Sequence, residues 1–252
     1  MSKAVMTIHG FLTVKEDFGR LYDHLDCYDE VLAVEIPGHN GEVNFKKFTV
    51  EATRQTVLSA YDSLREQHDE VDVVGFSMGG ALATWLCAER DVHRAVMLAP
   101  ANRYINGALP FQAIKFYSGV KRQARKNTKG SAKEKRQAVK AAMKPYRENI
   151  KISLKIAKER TFRYTNPHTF SVFRRLVKMS NKSVQNHSPI QTPSLVLWGK
   201  LDELVPYKSI KFVQKHFPNA KCNVYPNVGH AMLYTNLDGV FIGDIMEFLR
   251  RP

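Results

Sequence analysis

The stretch Val71-Asp72-Val73-Val74-Gly75-Phe76-Ser77-Met78-Gly79 constrains the fold more than any other part of the chain. A short β-branched apolar run, the pattern of a buried strand, enters a turn bounded by two glycines. The run that follows, Gly80-Ala81-Leu82-Ala83-Thr84-Trp85-Leu86-Cys87-Ala88, reads as a helix with small residues where it must pass close to a sheet. A strand that turns at once into a helix strains the backbone at the corner. Side chains two residues before and two after would collide there, which is the reason for glycine at both places. The turn lifts the Ser77 hydroxyl to the top of the sheet. An inert serine on an ordinary strand-to-helix turn is the plainer alternative.

The rest of the chain repeats the alternation. Ala4 to Ile8 reads as a buried strand, Lys15 to Leu25 as a helix, and Glu30 to Ile36 as a strand closed by Pro37-Gly38-His39-Asn40-Gly41. Phe48 to Gln67 is amphipathic at helical spacing through Val50, Thr53, Val57, Ala60, Tyr61 and Leu64. Further strands are expected over 71–76, 94–98, 194–198 and 221–225, with helices over 206–217 and 240–249. Six short strands separated by helices predict a mostly parallel α/β sheet with helices on both faces. In such sheets active groups collect beyond the carboxyl ends of the strands.

The alternation stops over residues 102–188. Helical stretches are expected there at roughly 110–126, 132–143, 146–160 and 167–179, punctuated by Pro145 and Pro167. They read as a helical cap inserted into a core made of residues 1–101 and 189–252. Phe111, Ile114, Tyr117, Leu154, Phe170 and Phe173 either wall a pocket or pack the cap onto the core. Charge marks the same boundary. The net charge is +14, yet residues 115–182 hold 21 Lys and Arg against Glu134, Glu148 and Glu159, so the remainder of the chain is slightly acidic. Attraction to an anionic membrane surface or substrate, and a merely solvated lysine face, are both open. Nucleic acid is not expected, since no basic motif is interleaved with aromatics.

Cys27, Cys87 and Cys222 are odd in number and far apart, with no metal-like spacing, and Cys87 is expected in the core. No apolar run is long enough to span a membrane, and no apolar leader precedes the first strand. Both features predict a cytoplasmic protein.

A serine hydroxyl becomes a useful nucleophile when a base takes its proton and an acid orients that base. Asp202 lies in Leu197-Trp198-Gly199-Lys200-Leu201-Asp202, after a strand, and His230 lies in Pro226-Asn227-Val228-Gly229-His230, after the next. Asp202 competes with its neighbour Glu203 and is preferred, with Glu203 pointing elsewhere. Capping of the helix near Pro206 is the other use for Asp202. His9 and His39 are expected to hold loops by hydrogen bonds.

With His9-Gly10-Phe11, Pro37-Gly38-His39, Gly75-Phe76-Ser77-Met78-Gly79, Gly199-Lys200-Leu201-Asp202-Glu203-Leu204-Val205-Pro206 and Gly229-His230, the chain resembles an α/β-hydrolase-fold serine hydrolase of the bacterial carboxylesterase and monoacylglycerol lipase branch. Asn40 before Gly41 is a departure, because that branch often has glycine directly after the histidine. The resemblance implies Ser77 as nucleophile, His230 as base and Asp202 as acid. Backbone N–H groups of Met78 and Phe11 are the implied oxyanion donors. No metal or cofactor is needed. The expected substrate is a small-molecule carboxylic ester with a small to medium acyl chain, of monoacylglycerol or lysophospholipid type. An amidase or peptidase, a C–C hydrolase and an acyltransferase share these groups, and a non-catalytic binding protein on the same scaffold is the rival from another class.

Overall fold

Runs of apolar, often β-branched residues make strands that the chain can bury on both faces, and the sheet they form is entirely parallel. The computed structural model describes residues 1–39, 46–104, 109–164, 166–235 and 238–250. Asn40 and Gly41 lie outside the described residues, as do the side chains of Phe111 and Leu154. The strands are β1 (Lys3–Ile8), β2 (Glu30–Val34), β3 (Glu70–Phe76), β4 (Ala95–Leu98), β5 (Ser194–Gly199) and β6 (Ala220–Tyr225). They are ordered β2-β1-β3-β4-β5-β6. In-register parallel pairs such as Ile8 with Gly75, Phe76 with Leu98 and Leu98 with Leu197 bring the carboxyl ends of the central strands level. The central strands are almost wholly buried, whereas β2 and β6 at the edges are partly exposed. This is the α/β architecture that the alternation predicts.

Parallel strands need crossovers, and helices supply them. Helix α1 (Val50–Gln67) starts at Thr49, whose Oγ1 accepts the Ala52 N–H at 3.1 Å, and buries Thr53, Val57, Tyr61 and Leu64. Helix α2 (Met78–Glu89) buries every residue from Met78 to Cys87. Its two glycines and its alanines let it lie against the sheet on one side. Helices α6 (Tyr207–His216) and α7 (Asp238–Leu249) complete the core. Residues 15–25, expected as one helix, form instead two 3-10 turns over Lys15–His24, broken at Gly19 where φ is +49°.

The insertion between β4 and β5 contains α3 (Leu109–Asn127), α4 (Ala132–Tyr164) and α5 (Pro167–His187). Two helices were expected on either side of Pro145, but α4 runs through it. Proline there removes one intrahelical hydrogen bond, and the strong helix formers around it carry the helix across. Helix α5 begins with a reciprocal cap between Asn166 and Thr169 and extends eight residues beyond Met179. Its apolar stripe, Val172, Phe173, Leu176, Val177 and Val184, packs on α2 and joins the core. The last helix of the insertion is therefore part of the core packing. Cys87 is buried as expected, Cys27 is exposed, and the three cysteines are unpaired. No described helix is long and apolar enough to cross a membrane.

Two histidines lock the loops at the top of β1 and β2. The Ile36 N–H donates to His9 Nε2 at 3.1 Å, so His9 carries its proton on Nδ1, which donates to the Gly10 carbonyl at 3.0 Å. Burial lowers the pKa of His9 to about 4. Burial, then the neighbouring His9, lowers that of His39 to about 4 as well. A folded-state value below the unfolded one, about 6.5, means that the unfolded chain takes up protons first on acidification. The stability these rings contribute is complete above pH 6.5 and is lost as pH falls toward 4. Between pH 7 and 5 urea denaturation should show a loss of about 2 kcal/mol per ring, and His39→Gln should flatten that slope.

Candidate active site

Ser77 sits at φ +55°, ψ −113°, a region that residues other than glycine rarely occupy. Such a conformation costs on the order of 1–3 kcal/mol and persists only where the surroundings enforce it. Here the enforcement comes from the end of β4, the loop after it and the first turn of α2. The Ser77 N–H donates to the Leu98 carbonyl at 2.9 Å, and the Ser77 carbonyl accepts the Ala101 N–H at 2.9 Å and the Ala81 N–H at 3.1 Å. The flanking glycines have separate reasons. A Cβ on Gly75 would overlap the Gly79 carbonyl, and a Cβ on Gly79 would overlap the Ile8 carbonyl at the end of β1.

The loops after β5 and β6 are stitched together beside this corner. The Leu201 N–H donates to the Val228 carbonyl at 3.0 Å, and the Lys200 N–H to the Tyr225 carbonyl at 2.8 Å. Gly199 passes so close to the Val228 carbonyl that no side chain would fit. Asp202 is completely buried. Its Oδ1 accepts the Leu204 N–H at 2.9 Å and the Val205 N–H at 2.7 Å, so its backbone partners are in its own loop and the residue capping α6 is Pro206. Its Oδ2 lies 2.9 Å from His230 Nδ1, and His230 Nε2 lies 2.9 Å from Ser77 Oγ. A carboxylate can only accept, so Nδ1 carries the proton and Nε2 offers its lone pair to the Ser77 hydroxyl. Residues 153 positions apart in the chain thus share one hydrogen-bonded line.

Burial of the His230 ring opposes its protonation. The charge and hydrogen bond of Asp202, joined by the charge of Glu203, outweigh burial and raise its pKa above the usual histidine range. Glu203 does not compete for the ring. Its Oε2 accepts the His230 backbone N–H at 3.0 Å. One carboxylate therefore orients the imidazole, and the next fixes the backbone that carries it. The charge of Glu203 also reaches α3. Burial first and then this charge raise the pKa of the Tyr117 hydroxyl.

The loop after β1 presses against the same corner. A Cβ on Gly10 would stand 3.1 Å from Ser77 Cβ and 3.2 Å from the Phe76 carbonyl, which puts Phe11 next to the serine. Met78 is the first residue of α2, whose N-terminal end carries partial positive charge. The Phe11 ring stacks on Phe173 of α5, with centroids 5.0 Å apart and planes 19° apart, and on Phe48 at 5.9 Å. Tyr104 and Phe170 extend this aromatic wall through Phe173. Of the apolar residues expected in the insertion, Phe173 is buried here, Phe170 is at its edge, Tyr117 packs on Tyr146, and Ile114 is exposed. Tyr104 carries no sequence signal beyond its place after β4, and Phe48, expected to begin the following helix, precedes its first turn instead.

The sequence profile of the family described as alpha/beta hydrolase fold matches residues 3–237. The chain is 31% identical over 86 residues to pimeloyl-[acyl-carrier protein] methyl ester esterase of Neisseria meningitidis serogroup C / serotype 2a. That segment is 34% of this chain and 31% of that protein, so the chain spans about a third of the curated relative it matches. Among solved structures it resembles MGS-M2, an alpha/beta hydrolase enzyme from a Medee basin deep-sea metagenome library. The TM-score is 0.64 at 17% identity, over 100% of this chain and 90% of that one. It also resembles a structure from the work on LipS and LipT, two metagenome-derived lipolytic enzymes. There the TM-score is 0.65 at 14% identity, over 98% of this chain and 93% of that one. At these identities the structures speak for the fold alone. From β1 to the threshold of α7, the chain belongs to the α/β-hydrolase fold family.

Proposed function

We propose that the protein is a serine hydrolase that cleaves carboxylic esters through an acyl-enzyme on Ser77. The observation that carries this reading is the line from Ser77 Oγ to His230 Nε2 and from His230 Nδ1 to Asp202 Oδ2, both steps at 2.9 Å. The esterase and lipolytic names among its relatives agree with it. The substrates favoured are esters of small to medium acyl chains, of monoacylglycerol or lysophospholipid type, entering beside the aromatic wall of Phe11, Phe173 and Tyr104.

Ser77 Oγ attacks the ester carbonyl carbon while His230 Nε2 takes the hydroxyl proton. The carbonyl electrons move onto oxygen, and the backbone N–H groups of Met78 and Phe11 receive that oxyanion. Losing one such donor costs about 10²–10³ in rate. The imidazolium, stabilised by Asp202, returns its proton to the leaving alcohol as the C–O bond breaks. Water then attacks the acyl-enzyme with His230 again as base, and the acid leaves. The strain at Ser77 keeps its hydroxyl clear of the α2 backbone and aimed at the imidazole. Residues 102–188 serve as the cap over this site, with α5 anchoring that cap to the core.

Three outcomes test the reading. With p-nitrophenyl esters from acetate to palmitate, the wild type should show turnover best at short or medium chains. Ser77→Ala should lose about 10⁴-fold or more and no longer be labelled by a fluorophosphonate; full activity in that variant would sink the proposal. Because the base must be neutral and its pKa is raised, the acid limb of kcat/KM should have its midpoint above pH 6.5. Asp202→Asn should move that limb down and lower kcat by about 10⁴. Glu203→Gln keeps an acceptor for the His230 N–H but removes a charge. It should shift the same limb downward with only a several-fold loss of kcat, whereas Glu203→Ala should lose more.

A further inference from the structure

The strongest charge in the chain is not confined to the outer lysines of the insertion. A groove of about 660 Å³ lies between the loop after β4 and α5. Its lining includes Arg103 from the loop and Arg174, Lys178 and Lys182 from α5, and it includes no acidic residue. Positions 174, 178 and 182 are spaced i, i+4, i+8, so their side chains stand on one face of the helix, about 12 Å from first to last. Among the described residues none of these three has an ion-pair partner. Like charges stacked at this spacing repel one another and destabilise a helix. The fold therefore carries a repulsion that a bound anion would relieve.

The groove is rigid on both sides. Helix α5 is held by its apolar stripe against α2. The opposite wall is tied to it by two carboxamide bonds, Asn102 Nδ2 to Asn181 Oδ1 at 3.0 Å and Asn181 Nδ2 to the Asn102 carbonyl at 2.9 Å. The Arg103 N–H donates to Ser209 Oγ at 3.0 Å, and its guanidinium lies over Phe212, 4.8 Å from the ring centre. Cations carried on fixed elements bind an anion without a further cost for ordering the backbone beneath them.

The groove is linked to the surroundings of the serine by chain and by packing. Ala101, whose N–H holds the Ser77 carbonyl, immediately precedes Asn102. Tyr104, which lines the groove, packs on Phe173, and Phe173 stacks on Phe11. Three cations on one helix face, with Arg103 beside them and no acid in the lining, match a multiply charged oxyanion better than a single carboxylate. A phosphate monoester carries about −1.5 to −2 charges, with three acceptor oxygens that suit arginine.

We propose that this groove binds the phosphate of a phosphorylated ester whose carbonyl lies at Ser77. The inference rests on the ester hydrolase reading and adds to it the class of substrate. The probes are a matched pair of the same acyl chain, 1-acyl-glycerol and 1-acyl-glycerol-3-phosphate, at concentrations below micelle formation. Wild type should prefer the phosphorylated ester by about tenfold or more in kcat/KM. Arg174→Glu and Lys178→Glu should bring that ratio toward one. Lys133→Glu and Lys140→Glu, which make the same charge change on α4, should leave it standing. A ratio taken on one enzyme preparation does not depend on the folded fraction, and added salt should shrink it in the wild type. A second readout needs no turnover: binding of glycerol 3-phosphate and of inorganic phosphate to Ser77→Ala, followed by ³¹P line broadening with and without Lys178→Glu. A ratio of one in the wild type with no such binding would overturn the proposal. Inorganic phosphate binding with a ratio of one would make the groove a site for the free ion and overturn its assignment to substrate. Hydrolysis of neither ester nor of any p-nitrophenyl ester, with glycerol 3-phosphate binding lost in Lys178→Glu, would leave the groove in place and remove the ester hydrolase reading instead.

Discussion

Everything at the top of this sheet depends on one strained residue being held from three sides. Ser77 can occupy its unusual backbone region because the end of β4 grips its N–H and the loop after β4 grips its carbonyl, and because nothing larger than hydrogen stands at 75 or 79. The grip works only if β3 and β4 end level, which their parallel register ensures. The β1 carbonyl that forbids a side chain at 79 belongs to Ile8, the last residue before the loop that brings Phe11 alongside. Strand register, helix entry and the placement of the loop after β1 are thus a single packing problem, solved once.

The second constraint is electrostatic. A fully buried carboxylate would cost several kcal/mol if left alone. Asp202 meets two backbone N–H groups of its own loop and the imidazole of the next, so it is compensated by groups that its own loop geometry creates. The bonds that sew the β5 and β6 loops together keep that geometry whether or not the imidazole is protonated. Glu203 then acts one bond further out, on the histidine's backbone. Two adjacent carboxylates divide the work of positioning and polarising one ring.

Much of this was legible in the sequence because it is written locally. The elbow announces itself by two glycines around a serine, and Asp202 and His230 each follow directly on an apolar strand. The parallel sheet follows from alternation alone. What stayed hidden is long-range. Glu203 looked like a rival to Asp202 because adjacent residues share a loop, and only the path of that loop decides which of them faces the ring. Pro145 suggested a break, yet α4 runs through it, and the helix formers on both sides offset a cost of about 3 kcal/mol. Helix α5 read as cap because it falls in the stretch where the alternation of strands and helices stops. Its apolar stripe continues past Met179 to Val184 and is spent on α2, a partner nearly a hundred residues earlier. Tyr104 had no periodic context at all.

Helix α2 has a consequence for how such a chain can vary. It is apolar on every side and buried from Met78 to Cys87, so it needs a cover opposite the sheet, and α5 provides it. The insertion is accordingly two unlike pieces in succession. Helices α3 and α4 pack chiefly on each other, and α5 is a wall of the interior. The outer pair can be lengthened, recharged or replaced while both of its ends stay moored to fixed points, the β4 loop and the Asn166 cap. The outer pair can therefore drift in sequence, while the residues that bend the chain at Ser77 stay under the demands of the core.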